Sequence, residues 1–185
     1  MTSGYRCTRN RGLHIRIRIF EWIMTALFIV LLIFLLFWVW MIPVSISGES
    51  MEPTLLENQI VLLDRLSKYI KTPERGDVIA FKNPSTGTML LKRIIALPSE
   101  TVQVTDGDIY INGCPLSEDT YLNKNGYNGN IEEIVVPEGC VYTLSDNRQD
   151  IYDSRYSTIG CIPYDNIYGV LKFRIYPSNS LAYFD

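Results

Sequence analysis

The sequence predicts a mainly β protein: an N-terminal transmembrane helix followed by an antiparallel β-rich domain with a small β insertion. Three observations lead there. From Trp22 to Ile42 runs WIMTALFIVLLIFLLFWVWMI, without a single charge; as a helix it would span about 31 Å, the depth of a bilayer core. Beyond it, short apolar runs recur between clusters of Gly, Pro, Asn and Asp, the pattern of strands joined by turns. No stretch after residue 42 shows a convincing amphipathic helical period, which favours an antiparallel sheet. The part beyond the apolar run, about 140 residues, is the size of one ordinary domain.

Taken in order, residues 1–18 carry Arg6, Arg9, Arg11, Arg16 and Arg18 and no acid. Basic flanks stay in the cytoplasm and Trp tends to sit at membrane interfaces, so Trp38 and Trp40 mark the outer end of the span. The expected organisation is a cytoplasmic tail (1–18), a transmembrane anchor in the cell membrane (19–42) and an extracytoplasmic domain (43–185). A cleavable secretory signal is the competing reading, but the apolar core of such signals is usually about 7–15 residues, shorter than this run. No second apolar run follows, so a single pass is expected. Strands are expected over 59–65, 76–81, 88–96, 101–104, 108–111, 134–136, 140–144 and 166–176. Segment 67–75 reads as a loop, 115–133, with Gly126 and Gly129, as a polar surface excursion, and 145–158 as a charged loop. Asn83-Pro84-Ser85-Thr86-Gly87 reads as a hairpin loop, and Asn112-Gly113 is a two-residue hairpin signal.

Composition narrows the function classes. Residues 44–185 hold 12 Lys+Arg against 19 Asp+Glu, a net of −7, which argues against a nucleic-acid partner. Cys7 falls in the tail, and Cys114, Cys140 and Cys161 fall where disulfides can form, with no pairing assignable from spacing. Zinc-type spacings of Cys and His are absent from the sequence, so no structural zinc is expected; the Ser/Lys chemistry considered below calls for no metal, nucleotide or other cofactor. Oligomeric state cannot be read from the chain.

Two positions carry candidate chemistry. Ser50 sits in Gly48-Glu49-Ser50-Met51-Glu52-Pro53-Thr54-Leu55, a few residues beyond the apolar run. The chain's one histidine, His14, precedes the span, so a Ser-His-Asp triad within one chain is excluded, as is His-dependent metal hydrolysis. A serine nucleophile would then need another base. A lysine can serve if desolvation brings it toward neutrality. Lys92 stands among Met89, Leu90, Leu91, Ile94, Ile95 and Ala96, and strand alternation requires either Lys92 or Arg93 to face inward. The bland alternative is two charges on the open face of an edge strand.

Four ordered segments together resemble the bacterial type I signal peptidases of the single-span, Gram-positive kind, serine proteases of the S26 family. They are Ser50-Met51-Glu52-Pro53-Thr54-Leu55, Gly76-Asp77-Val78-Ile79, Lys92-Arg93-Ile94-Ile95-Ala96-Leu97-Pro98, and Asp146-Asn147-Arg148 with Asp153-Ser154-Arg155. The resemblance implies a membrane-anchored endopeptidase that cuts signal peptides from secretory preproteins with a Ser/Lys dyad. Ser50 would be the nucleophile and Lys92 the base, in a β-rich catalytic unit with an insertion at about 99–143. The oxyanion donor expected is the backbone N–H of Ser50, because Gly48 occupies the place where some members add a serine hydroxyl. Met51, Leu55, Leu90 and Leu91 are candidate walls of shallow pockets for small residues at substrate positions −1 and −3. Arg93, Asp146, Arg148, Asp153 and Arg155 are expected to frame the site with ion pairs.

Two positions depart from the family pattern: Ser145 replaces a usual glycine, and Ile151 stands where many members have a serine that orients the lysine. The second departure leaves Lys92 with an expected shortage of polar partners. Two rival readings follow. One is a non-catalytic, signal-peptidase-like assembly factor for pilins or other secreted subunits. The other is a self-cleaving repressor, which would need a DNA-binding domain where the apolar run stands. Whether substrates are general or dedicated is open.

Overall fold

The computed structural model describes residues 6–118, 121–122, 130–177 and 181–184, with side chains from residue 14 onward. The side chains of Arg6, Cys7, Arg9 and Arg11 lie outside the described set, as do Gly126 and Gly129. The chain divides into two units, 1–40 and 41–185. The first is one helix, α1 (Arg6–Trp40). Its stretch His14–Trp40, 27 residues of mean hydropathy 2.8, is long and apolar enough to cross a membrane. The helix ends at Trp40, and Met41 and Ile42 open a strand.

The second unit is built from antiparallel strands: β1 (Met41–Ser45), β2 (Ile60–Asp64), β3 (Val78–Lys82), β4 (Met89–Ala96), β5 (Thr101–Thr105), β6 (Asp108–Ile111), β7 (Cys114–Pro115), β8 (Ile131–Val135), β9 (Cys140–Leu144), β10 (Ile162–Pro163), β11 (Ile167–Tyr176) and β12 (Ala182–Tyr183). A short helix, α2 (Ser67–Ile70), interrupts the predicted loop after β2. The larger sheet runs β1-β2-β11-β3-β4-β9-β10, with β12 on β11; β5 to β8 form a second sheet in the order β7-β6-β5-β8. The architecture is therefore mainly antiparallel β, as expected. The second sheet lies between β4 and β9 in the chain, and its β8 begins at Ile131, inside the segment read as a surface excursion. Asn112 and Gly113 both have positive φ, 51° and 76°, the backbone of a tight hairpin turn.

Each strand of the larger sheet sends alternate side chains to opposite faces, and both faces of β4 are covered. Met89 and Leu91 join Ile46, Met51, Leu55, Val61, Leu63, Val78 and Ala80 in one apolar cluster. Leu90 and Ile94 join Ile79, Phe81, Val141 and Val170 in another. The second sheet closes a third around Val102, Val104, Ile109 and Val136, which also takes in Ile95 and Tyr142. Two-sided burial explains the nearly continuous apolar run of β4, which a half-exposed strand would not need. At Gly169 β11 comes close to its neighbour β2: a Cβ there would stand 3.0 Å from the Asp64 carbonyl oxygen and 3.3 Å from Leu63 Cβ.

Candidate active site

Strand β4 decides the position of the two charges. Ile79 pairs with Lys92 and Val78 with Arg93, so the lysine lies on the Leu90/Ile94 face and the arginine on the Leu91 face. Both are buried, at 1% and 6% exposure. They are not edge-strand charges, and each has partners on its own side of the sheet.

Arg93 is the more heavily bonded. Its Nε and Nη2 donate to the two Asp146 carboxylate oxygens at 2.8 and 2.6 Å. Nη1 donates to the Gly76 carbonyl at 2.7 Å, and Nη2 also reaches Thr54 Oγ1 at 3.3 Å. The guanidinium lies 4.0 Å from the centre of the Tyr121 ring. This one side chain therefore ties together the segment after Ser50, the turn before β3, and the loop after β9. Arg155 pairs with Asp153 at 2.6 Å and also donates to the Arg148 carbonyl at 3.0 Å. Arg148 pairs with Glu118 at 2.6 Å, anchoring the end of β9 to the chain beyond β7. Glu118 and Tyr121 were not singled out from the sequence; they fall in the polar excursion, where nothing local distinguishes them.

Lys92 reaches across to the same loop after β9. Its Nζ donates to Ser145 Oγ at 2.9 Å and to Asp150 Oδ2 at 3.2 Å. The expected shortage of polar partners is thus corrected: Ile151 is 52% exposed, and its neighbour Asp150 turns in instead. Burial pushes the lysine below its ordinary pKa, outweighing the opposing pull of Asp150 and Asp153, while Arg155 adds to the lowering. For Asp150, burial raises the carboxyl. The Tyr152 N–H, the Lys92 charge and the Ser145 hydroxyl outweigh that and hold it below its usual value.

Ser50 is positioned by its own backbone. Its carbonyl accepts from the Asn147 N–H at 3.0 Å, which fixes the serine segment to the loop that bonds Lys92. Gly48, two residues earlier, has φ +90°, a conformation that L side chains rarely adopt. Met51 and Leu55 are fully buried in the cluster that Leu91 borders, so three of the four candidate pocket residues come together. Leu90 lies on the opposite face, against the Ile79/Phe81 cluster, because it is one residue out of step with Leu91.

Among the described residues, the β9 side of β4 is unpaired over its first half. Strand β9 pairs with β4 at Arg93, Ile94 and Ala96, so its register does not extend along Met89–Lys92. By contrast, a cleft of about 550 Å³ on the Arg93 side is lined by Thr54, Asp77, Arg93 and Tyr121, and by neither Ser50 nor Lys92. Among the described residues, no group of three or more His, Cys, Asp or Glu stands together to hold a metal ion. Cys114, Cys140 and Cys161 are free thiols.

An antiparallel β-domain that buries a lysine beside the loop binding a serine segment, in a chain whose sole histidine is in another unit, has the make-up of a histidine-independent serine hydrolase. The family described as signal peptidase, peptidase S26, matches residues 19–176, and the chain belongs to that family. It is 39% identical over 145 residues to a signal peptidase I of Leptolyngbya laminosa, covering 74% of this chain and 70% of that one. It is 30% identical over 183 residues to a signal peptidase I of Bacillus licheniformis, covering 94% and 97%. Among solved structures, a signal peptidase I from Enterococcus faecalis V583 aligns at 38% identity with a TM-score of 0.48, over 55% of this chain and 98% of that one.

Proposed function

We propose that Ser50 is the nucleophile and Lys92 the general base of this chain's activity, the removal of signal peptides from preproteins by a membrane-anchored S26 serine endopeptidase. The observation that carries the assignment is the burial of Lys92 in an apolar strand, with its Nζ held by the loop that also binds the Ser50 backbone. Desolvation disfavours the ammonium and makes a neutral amine available.

In the first step the neutral Lys92 amine takes the Ser50 hydroxyl proton as Oγ attacks the scissile carbonyl carbon. The C=O electrons move to oxygen, and the Ser50 backbone N–H stabilises that oxyanion. Collapse breaks the C–N bond, and the Lys92 ammonium gives its proton to the leaving amine. The resulting ester is hydrolysed by a water that Lys92 deprotonates, and the proton returns to Ser50 Oγ as the acid departs. One group serves both halves because each half restores its protonation state.

Substrate enters as an added strand along the open Met89–Lys92 edge, in the manner of strand-addition peptide recognition. Met51, Leu55 and Leu91 back the shallow pockets for small residues at positions −1 and −3. The arginine-rich tail lies in the cytoplasm and the β-domain outside the cell membrane, where exported preproteins emerge. A non-catalytic assembly role is not favoured, since the relatives just described are named as peptidases. The test is cleavage of a signal-bearing precursor by the purified full-length chain in detergent. Ser50→Ala and Lys92→Ala should each abolish it. Precursor bound but uncut by the wild-type chain, or cut by either variant, would overturn the assignment.

A further inference from the structure

We infer that Ser145 and Asp150 are positioning residues that aim the Lys92 amine at Ser50, an inference that rests on the Ser50/Lys92 reading above. A neutral lysine amine has two N–H donors and one lone pair arranged around the nitrogen, whereas the ammonium has three donors and none. Ser145 Oγ at 2.9 Å and Asp150 Oδ2 at 3.2 Å engage two of the three directions at Nζ. In the neutral form both N–H groups are then occupied by acceptors, and the lone pair is confined to the remaining direction. A lysine with one partner would keep rotational freedom about its last bond, and its lone pair would sweep a cone.

The two acceptors are themselves held in place. Ser145 donates its N–H to Asp153 Oδ2 at 2.8 Å, and its carbonyl accepts from Arg148 Nε at 2.9 Å. Its hydroxyl lies 3.4 Å from Asp150 Oδ2. Asp150 Oδ1 accepts from the Tyr152 N–H at 3.0 Å, which turns Oδ2 toward Lys92. The Asp150 carbonyl accepts from Arg155. A glycine at 145 would supply the same backbone bonds and no hydroxyl, so this side chain is the part of the loop specific to the amine. The charged groups acting on Lys92 are Asp150 and Asp153, which favour the ammonium, and Arg155, which opposes it. Of these, Asp150 is the only one hydrogen-bonded to Nζ among the described contacts.

The two residues should separate kinetically. Ser145→Gly removes one acceptor from a loop that otherwise keeps its backbone bonds. It should lower kcat about tenfold, the worth of one well-placed hydrogen bond, with KM unchanged. Asp150→Asn keeps an acceptor for Tyr152 and removes the negative charge. The acid limb of its kcat/KM profile should move to lower pH, because the ammonium loses its counterion while burial persists. A purely structural role would lower activity without moving that limb. The experiment is steady-state precursor cleavage across pH by full-length wild type, Ser145→Gly and Asp150→Asn, with Lys92→Ala alongside. Wild-type kcat in Ser145→Gly, or an unmoved limb in a folded Asp150→Asn, would overturn the inference while leaving the dyad intact. If Asp150→Asn fails to fold, the Ser145→Gly arm decides. Activity in Lys92→Ala would overturn both the dyad and the inference.

Discussion

Removing the Arg93 side chain should destabilise the β-domain far more than removal of a surface charge. The Arg93 side chain is 7% exposed and the Asp146 side chain 0%, so Arg93→Ala leaves a carboxylate sealed away from water without its partner. Breaking a buried pair from one side costs about 3–5 kcal/mol. The lost bonds to the Gly76 carbonyl and Thr54, and the lost contact with the Tyr121 ring, place this case toward the upper end. For a domain of this size that is a fall in Tm of roughly 15 °C. Arg93→Lys should fall between, since an ammonium keeps the charge and gives up the two-pronged geometry. The double variant Arg93→Met/Asp146→Leu should recover most of the loss, because a well-packed apolar pair carries no desolvation cost. Urea unfolding of the full-length chain, followed by tryptophan-independent far-UV circular dichroism, measures all three. A cost for Arg93→Ala below about 1 kcal/mol, the range of exposed pairs, would refute the reasoning, as would a double variant no more stable than Arg93→Ala.

Two further outcomes rest on Lys92 and Gly169. The folded Lys92 pKa lies below its ordinary value of 10.5; between the two values the unfolded chain binds more protons, so stability should rise with pH across that window. Lys92→Met should flatten this slope in unfolding measured at successive pH values; an unchanged slope would mean that burial does not act on this group. Gly169→Ala should cost about 1–3 kcal/mol, because the new methyl meets the Asp64 carbonyl at 3.0 Å and backbone cannot move aside as a side chain can. A thermal melt matching wild type would show that the approach of β11 to its neighbour β2 has slack.

The fold class was legible because most strands carry their own signals. β-Branched runs bounded by Gly, Pro and Asn located β2, β3, β4, β5, β6, β9 and β11 to within a few residues. The strands that escaped notice are short or disguised. β1 directly follows the apolar run and contains Pro43; it sits at the end of the sheet order, where a proline is tolerated because one row of N–H groups needs no partner. β7, β10 and β12 are two residues each, too short to show any period. At the site, Lys92 stood out because a charge in a run buried on both faces is costly and conspicuous. Its partners did not: Ser145 and Asp150 lie 53 and 58 residues away, and only the return of the chain after β9 brings them near. The inward turn of Asp150 depends on a side-chain bond to the Tyr152 N–H, a local detail that was readable as an Asx-type turn. Sequence comparison by position alone pointed to Ile151 and so missed the residue next to it.

The short register between β4 and β9 acts as a gauge. Along Met89–Lys92, where β4 has no β9 partner, the edge offers about 13 Å of ladder, room for roughly four residues of extended chain. The interior of a helix spends its backbone donors and acceptors on its own turns and so presents none to such an edge. On the strand-addition reading proposed above, selection at this edge would fall first on stretches that are already unwound over about one helical turn. Side-chain preference then acts only on the segments that pass this first, conformational filter.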